Sequence, residues 1–85
     1  MPDIEIFTQP HCPYCDAARA LLRRKGAPFR DVHAPYGTPA RDDAIRRSGG
    51  CTTVPQIFIG GRHVGGFDDL SALDRAGRLD PLLAA

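Results

Sequence analysis

The sequence holds only three cysteines in 85 residues, a small and odd number. Secreted domains stapled by disulfides carry more of them and in pairs, so a disulfide framework is excluded. No charge sign dominates, because eleven Lys and Arg stand against ten Asp and Glu. That balance argues against nucleic acid or an anionic membrane as the main partner. No apolar run approaches the roughly 20 residues that a membrane-spanning helix needs. Met1-Pro2-Asp3 runs straight into the first apolar stretch with no leader pattern. There is no repeat, low-complexity segment or linker. These absences predict one domain over residues 1–85, cytoplasmic, without a nucleic-acid or membrane partner. In that setting a close cysteine pair points to chemistry rather than to a staple.

Such a pair is present as Cys12-Pro13-Tyr14-Cys15. Ahead of it, Ile4, Ile6 and Phe7 among Asp3, Glu5 and Thr8 read as a strand. Behind it, Ala18, Leu21 and Leu22 recur at helical spacing, with Asp16, Arg19 and Arg23 on the other side. Pro13 suits the first helical turn, where its missing N–H costs nothing. Cys12 therefore sits at the helix N-terminus and Cys15 one turn later, close enough to form a disulfide. The free N–H groups and positive end of the helix dipole favour a thiolate at Cys12. The same motif can be half of a zinc site, which needs a second ligand pair. Cys51, His11, His33 and His63 supply none, so no metal is expected.

The remaining elements read in order. The first helix spans Pro13 to Lys25, with Arg23, Arg24 and Lys25 in its last turn and Gly26 as its stop. Pro28 to His33 alternates as a second strand, which completes a βαβ unit with parallel strands. Thr38-Pro39 opens a short charged helix whose thin apolar face is Ala44 and Ile45. Gln56 to Ile59, a Gly60-Gly61 turn and Arg62 to Val64 form a hairpin. Asp68 or Asp69 is expected to cap a third helix with Leu70 and Leu73 inward. Asp80-Pro81 is expected to open a last turn that tucks in Leu82 and Leu83.

The order β-α-β-α-β-β-α carries three separated motifs: Cys12-Pro13-Tyr14-Cys15, Thr53-Val54-Pro55-Gln56-Ile57-Phe58-Ile59 and Gly65-Gly66-Phe67-Asp68-Asp69-Leu70. Together they resemble a dithiol glutaredoxin of the bacterial C-P-Y-C type, over essentially the whole chain. Without the resemblance, the residues reach only a thiol–disulfide redox domain. The resemblance implies an α/β thioredoxin-like fold. Its four-stranded mixed sheet has the order 2-1-3-4, with two parallel strands and an antiparallel hairpin, flanked by three main helices. It implies an enzyme that uses glutathione as reductant and holds no permanent cofactor. Its partners would be glutathione, protein disulfides and glutathionylated proteins, and the chain would be a monomer. Cys12, the more exposed sulfur, would be the nucleophile and Cys15 the resolving thiol. Val54-Pro55 would be a cis peptide, with the Val54 backbone gripping the cysteine of glutathione like an added strand. Tyr14, Thr53, Val54, Pro55 and Gly66 would line the binding site. The backbone of Phe67 and Asp68 would take the γ-glutamyl carboxylate, and Asp69 the γ-glutamyl amine.

The sequence departs from the family pattern in three places. Gln9 stands where relatives often have a lysine for the glycyl carboxylate. Arg41 is a substitute, though it reads first as a solvated surface residue. Phe67 replaces a small residue or cysteine. Cys51 is an extra thiol, either a partly exposed bystander or one placed to be glutathionylated or to link two chains. His11 reads as a solvated loop side chain that could add positive charge. Two other readings stay open: a redoxin re-reduced by thioredoxin reductase, and a [2Fe–2S] carrier using Cys12 and glutathione. The Asp68-Asp69 pair and Pro13-Tyr14 argue against the first, and Pro13 with the dithiol motif against the second.

Overall fold

A computed structural model gives residues 1–85 eight elements: β1 (Ile4–Thr8), α1 (Pro13–Arg24), β2 (Arg30–His33), α2 (Pro39–Arg47), β3 (Gln56–Ile59), β4 (Arg62–Gly65), α3 (Phe67–Arg75) and α4 (Leu79–Ala84). The strands form one sheet in the order β2-β1-β3-β4. β1 pairs parallel with β2 and antiparallel with β3, and β3 pairs antiparallel with β4. This is the expected thioredoxin-like topology. Gly60 and Gly61 close the hairpin with φ of 59° and 80°, the left-handed pair that a two-residue type I′ turn requires.

Alternation along the two central strands splits the core in two. Ile4 and Ile6 of β1 with Ile57 and Ile59 of β3 face Ala18, Leu21 and Leu22 of α1, Leu70 of α3, and Leu79 and Leu83 of α4. Phe7 and Phe58 point the other way and pack with Ala34 and with Ala44 of α2, the two rings edge-on at 5.6 Å between centroids. Each fully buried Leu, Ile or Phe contributes about 1.5–3 kcal/mol. The larger layer therefore supplies most of the stability, and the α2 layer needs polar support. Arg47 provides it, lying 4.3 Å from the Phe58 ring centroid while its guanidinium bonds the Glu5 carboxylate at 2.7 Å. That bond holds the Glu5 carboxyl below its ordinary value and the Arg47 guanidinium above its own.

Several element ends differ from the sequence reading. β2 begins at Arg30, because the exposed Pro28 and part-buried Phe29 precede the ladder with β1. α3 is capped by Gly66, not by Asp68 or Asp69; Asp69 is its third residue, and its carboxylate accepts the Gly66 N–H at 3.0 Å. The last helix starts at Leu79, ahead of Asp80-Pro81, and it buries Leu79 and Leu83 while Leu82 stays half-buried. In α2 the buried residues are Ala44 and Arg41, not Ile45. No helix is long and apolar enough to cross a membrane.

Candidate active site

β1 delivers the chain to the redox motif at one end of the sheet. After Thr8 the backbone turns through Gln9, Pro10 and an exposed His11 in the left-handed region, φ 58°, and Cys12 becomes the N-cap of α1. Pro13 follows at the first helical position, as its fixed φ requires. The Cys12 sulfur accepts the Cys15 backbone N–H at 3.1 Å. Cys12 and Cys15 are joined as a disulfide with their Cα atoms 5.2 Å apart. Cys15 is fully buried and Cys12 half-exposed. An incoming thiol or disulfide therefore meets Cys12 first.

The second wall is the loop before β3. Its Val54-Pro55 peptide is cis, as the resemblance implied, and the Cys12 sulfur lies 3.9 Å from the Val54 carbonyl oxygen. The third wall is the N-terminus of α3. Thr53, Val54, Pro55, Gly66, Phe67, Asp68 and Asp69 line one groove of about 580 Å³ together with Tyr14 and Cys51. The Tyr14 ring is 61 % exposed and stands 6.3 Å from the Phe67 ring, so the two aromatics roof one side. The N–H groups of Phe67 and Asp68 belong to the first helical turn, where no intrahelical acceptor exists. They make an anion-binding end, with the Asp69 carboxylate beside it.

These features occur in known proteins. Residues 4–64 match the family model "Glutaredoxin". The chain is 53 % identical over 85 residues to a glutaredoxin of Pseudomonas aeruginosa, covering all of both chains. It is 52 % identical over 83 residues to glutaredoxin 3 of Escherichia coli K12, covering 98 % of this chain and 99 % of that one. This chain belongs to the glutaredoxin family. The fold agrees. A solution structure of the Brucella melitensis glutaredoxin superposes with a TM-score of 0.83 at 55 % identity, over 98 % of this chain and 89 % of that one. The buckwheat glutaredoxin–glutathione complex superposes with a TM-score of 0.86 at 28 % identity, over 98 % of this chain and 77 % of the other. As a glutaredoxin the chain is a thiol–disulfide oxidoreductase, and Cys12 and Cys15 are its redox pair.

In this glutaredoxin Tyr14, Thr53, Val54, Pro55, Gly66, Phe67, Asp68 and Asp69 fall on the one groove, whereas Gln9 and Arg41 do not line it. Two side chains, Arg41 and the groove-lining Gln56, behave differently from the sequence reading. Arg41 is not a solvated surface residue; it is 2 % exposed. Its guanidinium donates to the Gln9 side-chain oxygen at 2.9 Å, to the Ala34 carbonyl at 2.8 Å and to the Thr52 carbonyl at 2.9 Å. The exposed Tyr36 ring covers it at 3.9 Å. Arg41 thus ties the loop before Cys12 to the loop before Pro55. Gln56, read as a strand residue within the Thr53–Ile59 motif and given no site role, is 3 % exposed, and its amide bonds Thr53 and His63. The Arg41 link has no local sequence signal, because its partners lie in separate segments, whereas Gln56 bonds Thr53 three residues away and His63 across the hairpin. Cys51 stands at the groove rim, exposed, with its sulfur 3.6 Å from the Ser48 carbonyl oxygen. Beneath the redox loop, Arg19 bonds Asp31 at 2.6 Å, Asp16 at 2.8 Å and the Thr8 hydroxyl at 2.9 Å. Burial pushes the Asp31 carboxyl up, but bonds from Arg19 and Thr8 bring it below its ordinary value.

Proposed function

We propose that this glutaredoxin takes its electrons from glutathione and reduces protein disulfides and glutathionylated thiols, with Cys12 as nucleophile and Cys15 as resolving thiol. The observation that carries this reading is the position of the Cys12 sulfur. It caps α1, accepts the Cys15 N–H, and lies 3.9 Å from the Val54 carbonyl on the groove wall. The helix N-terminus stabilises a thiolate there.

In the first step the Cys12 thiolate attacks a substrate disulfide. A Cys12–substrate disulfide forms and the other substrate sulfur leaves as a thiolate. For a glutathionylated small thiol, the attacked sulfur is that of glutathione. A free glutathione thiolate then displaces the enzyme and leaves as oxidised glutathione. For a protein disulfide, the Cys15 thiolate attacks the Cys12 sulfur, frees the reduced protein and closes the Cys12–Cys15 disulfide. Two glutathiones reopen it: the first becomes joined to Cys12, and the second takes the first away.

Glutathione would lie in the groove with its cysteine on the Val54 N–H and C=O, as an added strand. Its γ-glutamyl carboxylate would meet the Phe67 and Asp68 N–H groups. The Asp69 oxygen not used to cap Gly66 is available for the γ-glutamyl amine. Tyr14 and Thr53 would flank the sulfur, with Pro55 and Gly66 shaping the floor. At the glycyl end Gln9 would contact the carboxylate, with the Arg41 charge behind it. Residues 1–85 would act as one domain, a cytoplasmic monomer with no permanent cofactor.

The test is turnover of a glutathionylated small thiol with glutathione and glutathione reductase, against thioredoxin reductase and NADPH alone. Activity in the first system only is expected. Activity in the second system only would assign the chain to the thioredoxin reductase-dependent class.

A further inference from the structure

We propose that Arg41 is a positioning residue of the redox centre: its guanidinium locks the segment leading to Cys12 to the segment leading to Val54, and so fixes the spacing between the sulfur and the backbone that a substrate pairs with. The inference rests on the glutathione reading above for its ligand. The backbone–backbone hydrogen bonds outside the regular elements include none from residues 9–11 or 51–55. Side chains hold both segments instead. The Cys51 N–H donates to the Ser48 hydroxyl, and the Thr53 carbonyl accepts from Gln56. Apart from the Cys12 sulfur itself, only Arg41 bonds both segments: Nη1 donates to Gln9 Oε1 and Nη2 to the Thr52 carbonyl, each at 2.9 Å. Nη1 also donates to the Ala34 carbonyl at 2.8 Å, and the Ala34 N–H is tied to the Thr8 carbonyl at 2.7 Å. The Tyr36 ring covers the guanidinium, and its hydroxyl donates to the same Thr52 oxygen at 3.4 Å.

The three oxygens are uncharged, and the buried Nε has no acceptor. A buried cation without a counter-ion is costly, and a well-packed apolar side chain is often the more stable choice at such a place. Packing therefore does not account for an arginine here. Its rigid planar fork does, because one group reaches oxygens of three segments at fixed angles. Gln9 lies three residues before Cys12, and Thr52 two residues before Val54. Across the short circuit that these anchors close, the Cys12 sulfur lies 3.9 Å from the Val54 carbonyl oxygen. Without the clamp the two segments are freer to move against each other. A substrate joined to Cys12 and paired with Val54 must then order them on binding, at an entropic cost. Arg41 touches neither sulfur and does not line the groove, so it acts through the two segments it holds.

Two variants test this: Arg41→Met, which keeps most of the volume and removes the donors, and Arg41→Lys, which keeps the charge and loses the fork. The substrates are two mixed disulfides of one small thiol, with glutathione and with its glycyl ethyl ester. Both are reduced at fixed glutathione, well below the Tm of each variant. In Arg41→Met the KM is expected to rise about five- to thirtyfold for both substrates, the size of ordering one more residue's backbone on binding, with kcat within about threefold. Arg41→Lys is expected to show a smaller rise of the same kind, and it carries the comparison alone should Arg41→Met fail to fold. In each variant the heteronuclear NOEs of the Gln9 and Thr52 amides are expected to fall, while the alkylation rate of reduced Cys12 is kept. A wild-type KM in Arg41→Lys would show that the charge and not the fork matters, and would overturn the proposal. So would a rise confined to the unesterified substrate, which would make Arg41 a carboxylate ligand only, and so would unchanged NOEs in both segments. A wild type that turns over neither mixed disulfide would instead overturn the glutathione reading, and the NOEs would still decide whether Arg41 fixes the two segments.

Discussion

The Cys12 sulfur accepts the backbone N–H of Cys15 at 3.1 Å, so the proposed nucleophile itself caps the helix that carries its partner. Most N-caps are hydroxyl, carboxylate or amide side chains. A sulfur there gains in acceptor strength when it loses its proton, and the helix dipole acts in the same sense. Cys15, buried one turn inside, has no such assistance. The alkylation rate of Cys12 in a Cys15→Ser, Cys51→Ser background is therefore expected to follow a pKa well below the ordinary thiol value near 8.5. Faster alkylation of Cys15 than of Cys12 at neutral pH, compared in single-cysteine forms, would reverse the two roles.

Asp69 has two jobs that a pair of substitutions separates. Its carboxylate accepts the Gly66 N–H at 3.0 Å, and it borders the groove. Asp69→Asn keeps an acceptor for the cap and loses the charge. It is expected to raise the KM for glutathione at nearly unchanged Tm. Asp69→Ala loses both, and is expected to add a stability loss of about 1 kcal/mol. Equal, wild-type KM values in both variants would leave Asp69 with a capping role only.

Gly65 protects the same carboxylate. Its φ of +122° lies where side chains are strained, and a Cβ built there collides with the Asp69 side chain. Gly65→Ala is expected to cost about 1–3 kcal/mol in backbone strain. It is also expected to raise the KM for glutathione by displacing Asp69. Thermal unfolding and steady-state kinetics on one preparation check both effects. A Tm loss with unchanged KM would show that Asp69 can move without consequence for binding.

The Glu5–Arg47 pair predicts a pH dependence of stability. The Arg47 hydrogen bond holds the Glu5 carboxyl below its ordinary value of 4.5. A carboxyl with a depressed folded pKa stabilises the fold above the unfolded value and stops doing so as pH falls through the folded one. Glu5→Gln is therefore expected to cost about 1–2 kcal/mol at neutral pH, the size of a charge-assisted hydrogen bond. Its deficit relative to wild type is expected to shrink below about pH 4.5. Urea unfolding of both proteins at pH 7 and pH 3 measures this. A deficit that is the same at both pH values would remove Glu5 from the acid response.

What the sequence made legible was mostly local. Thr38-Pro39, Pro13 and the Gly60-Gly61 turn act through neighbouring backbone, and each stands where the residue types require. Misplaced features had competing local signals. Two acids after Gly66 both looked like caps, while the cap is glycine and Asp69 reaches back from the third helical position. Arg41 sits in a charged run typical of an exposed helix. Its burial depends on oxygens of Gln9, Ala34 and Thr52, which only the folded chain brings together. The groove residues were identified through motifs resembling the family's, and Gln56 stands inside one of them, whereas the burial of Arg41 and the contact of Gln56 with His63 show in no spacing.

The division of labour between the two sulfurs is tested most directly by comparing wild type, Cys12→Ser, Cys15→Ser and Cys51→Ser at fixed glutathione. Each is measured on one glutathionylated small thiol and on one protein disulfide. Cys12→Ser is expected to lose both activities. Cys15→Ser is expected to keep or raise the first, because the internal disulfide can no longer form, and to lose most of the second. Cys51→Ser is expected to keep both. Loss of both activities in Cys15→Ser, or loss of protein-disulfide reduction in Cys51→Ser, would contradict the assignment of Cys15 as the resolving thiol.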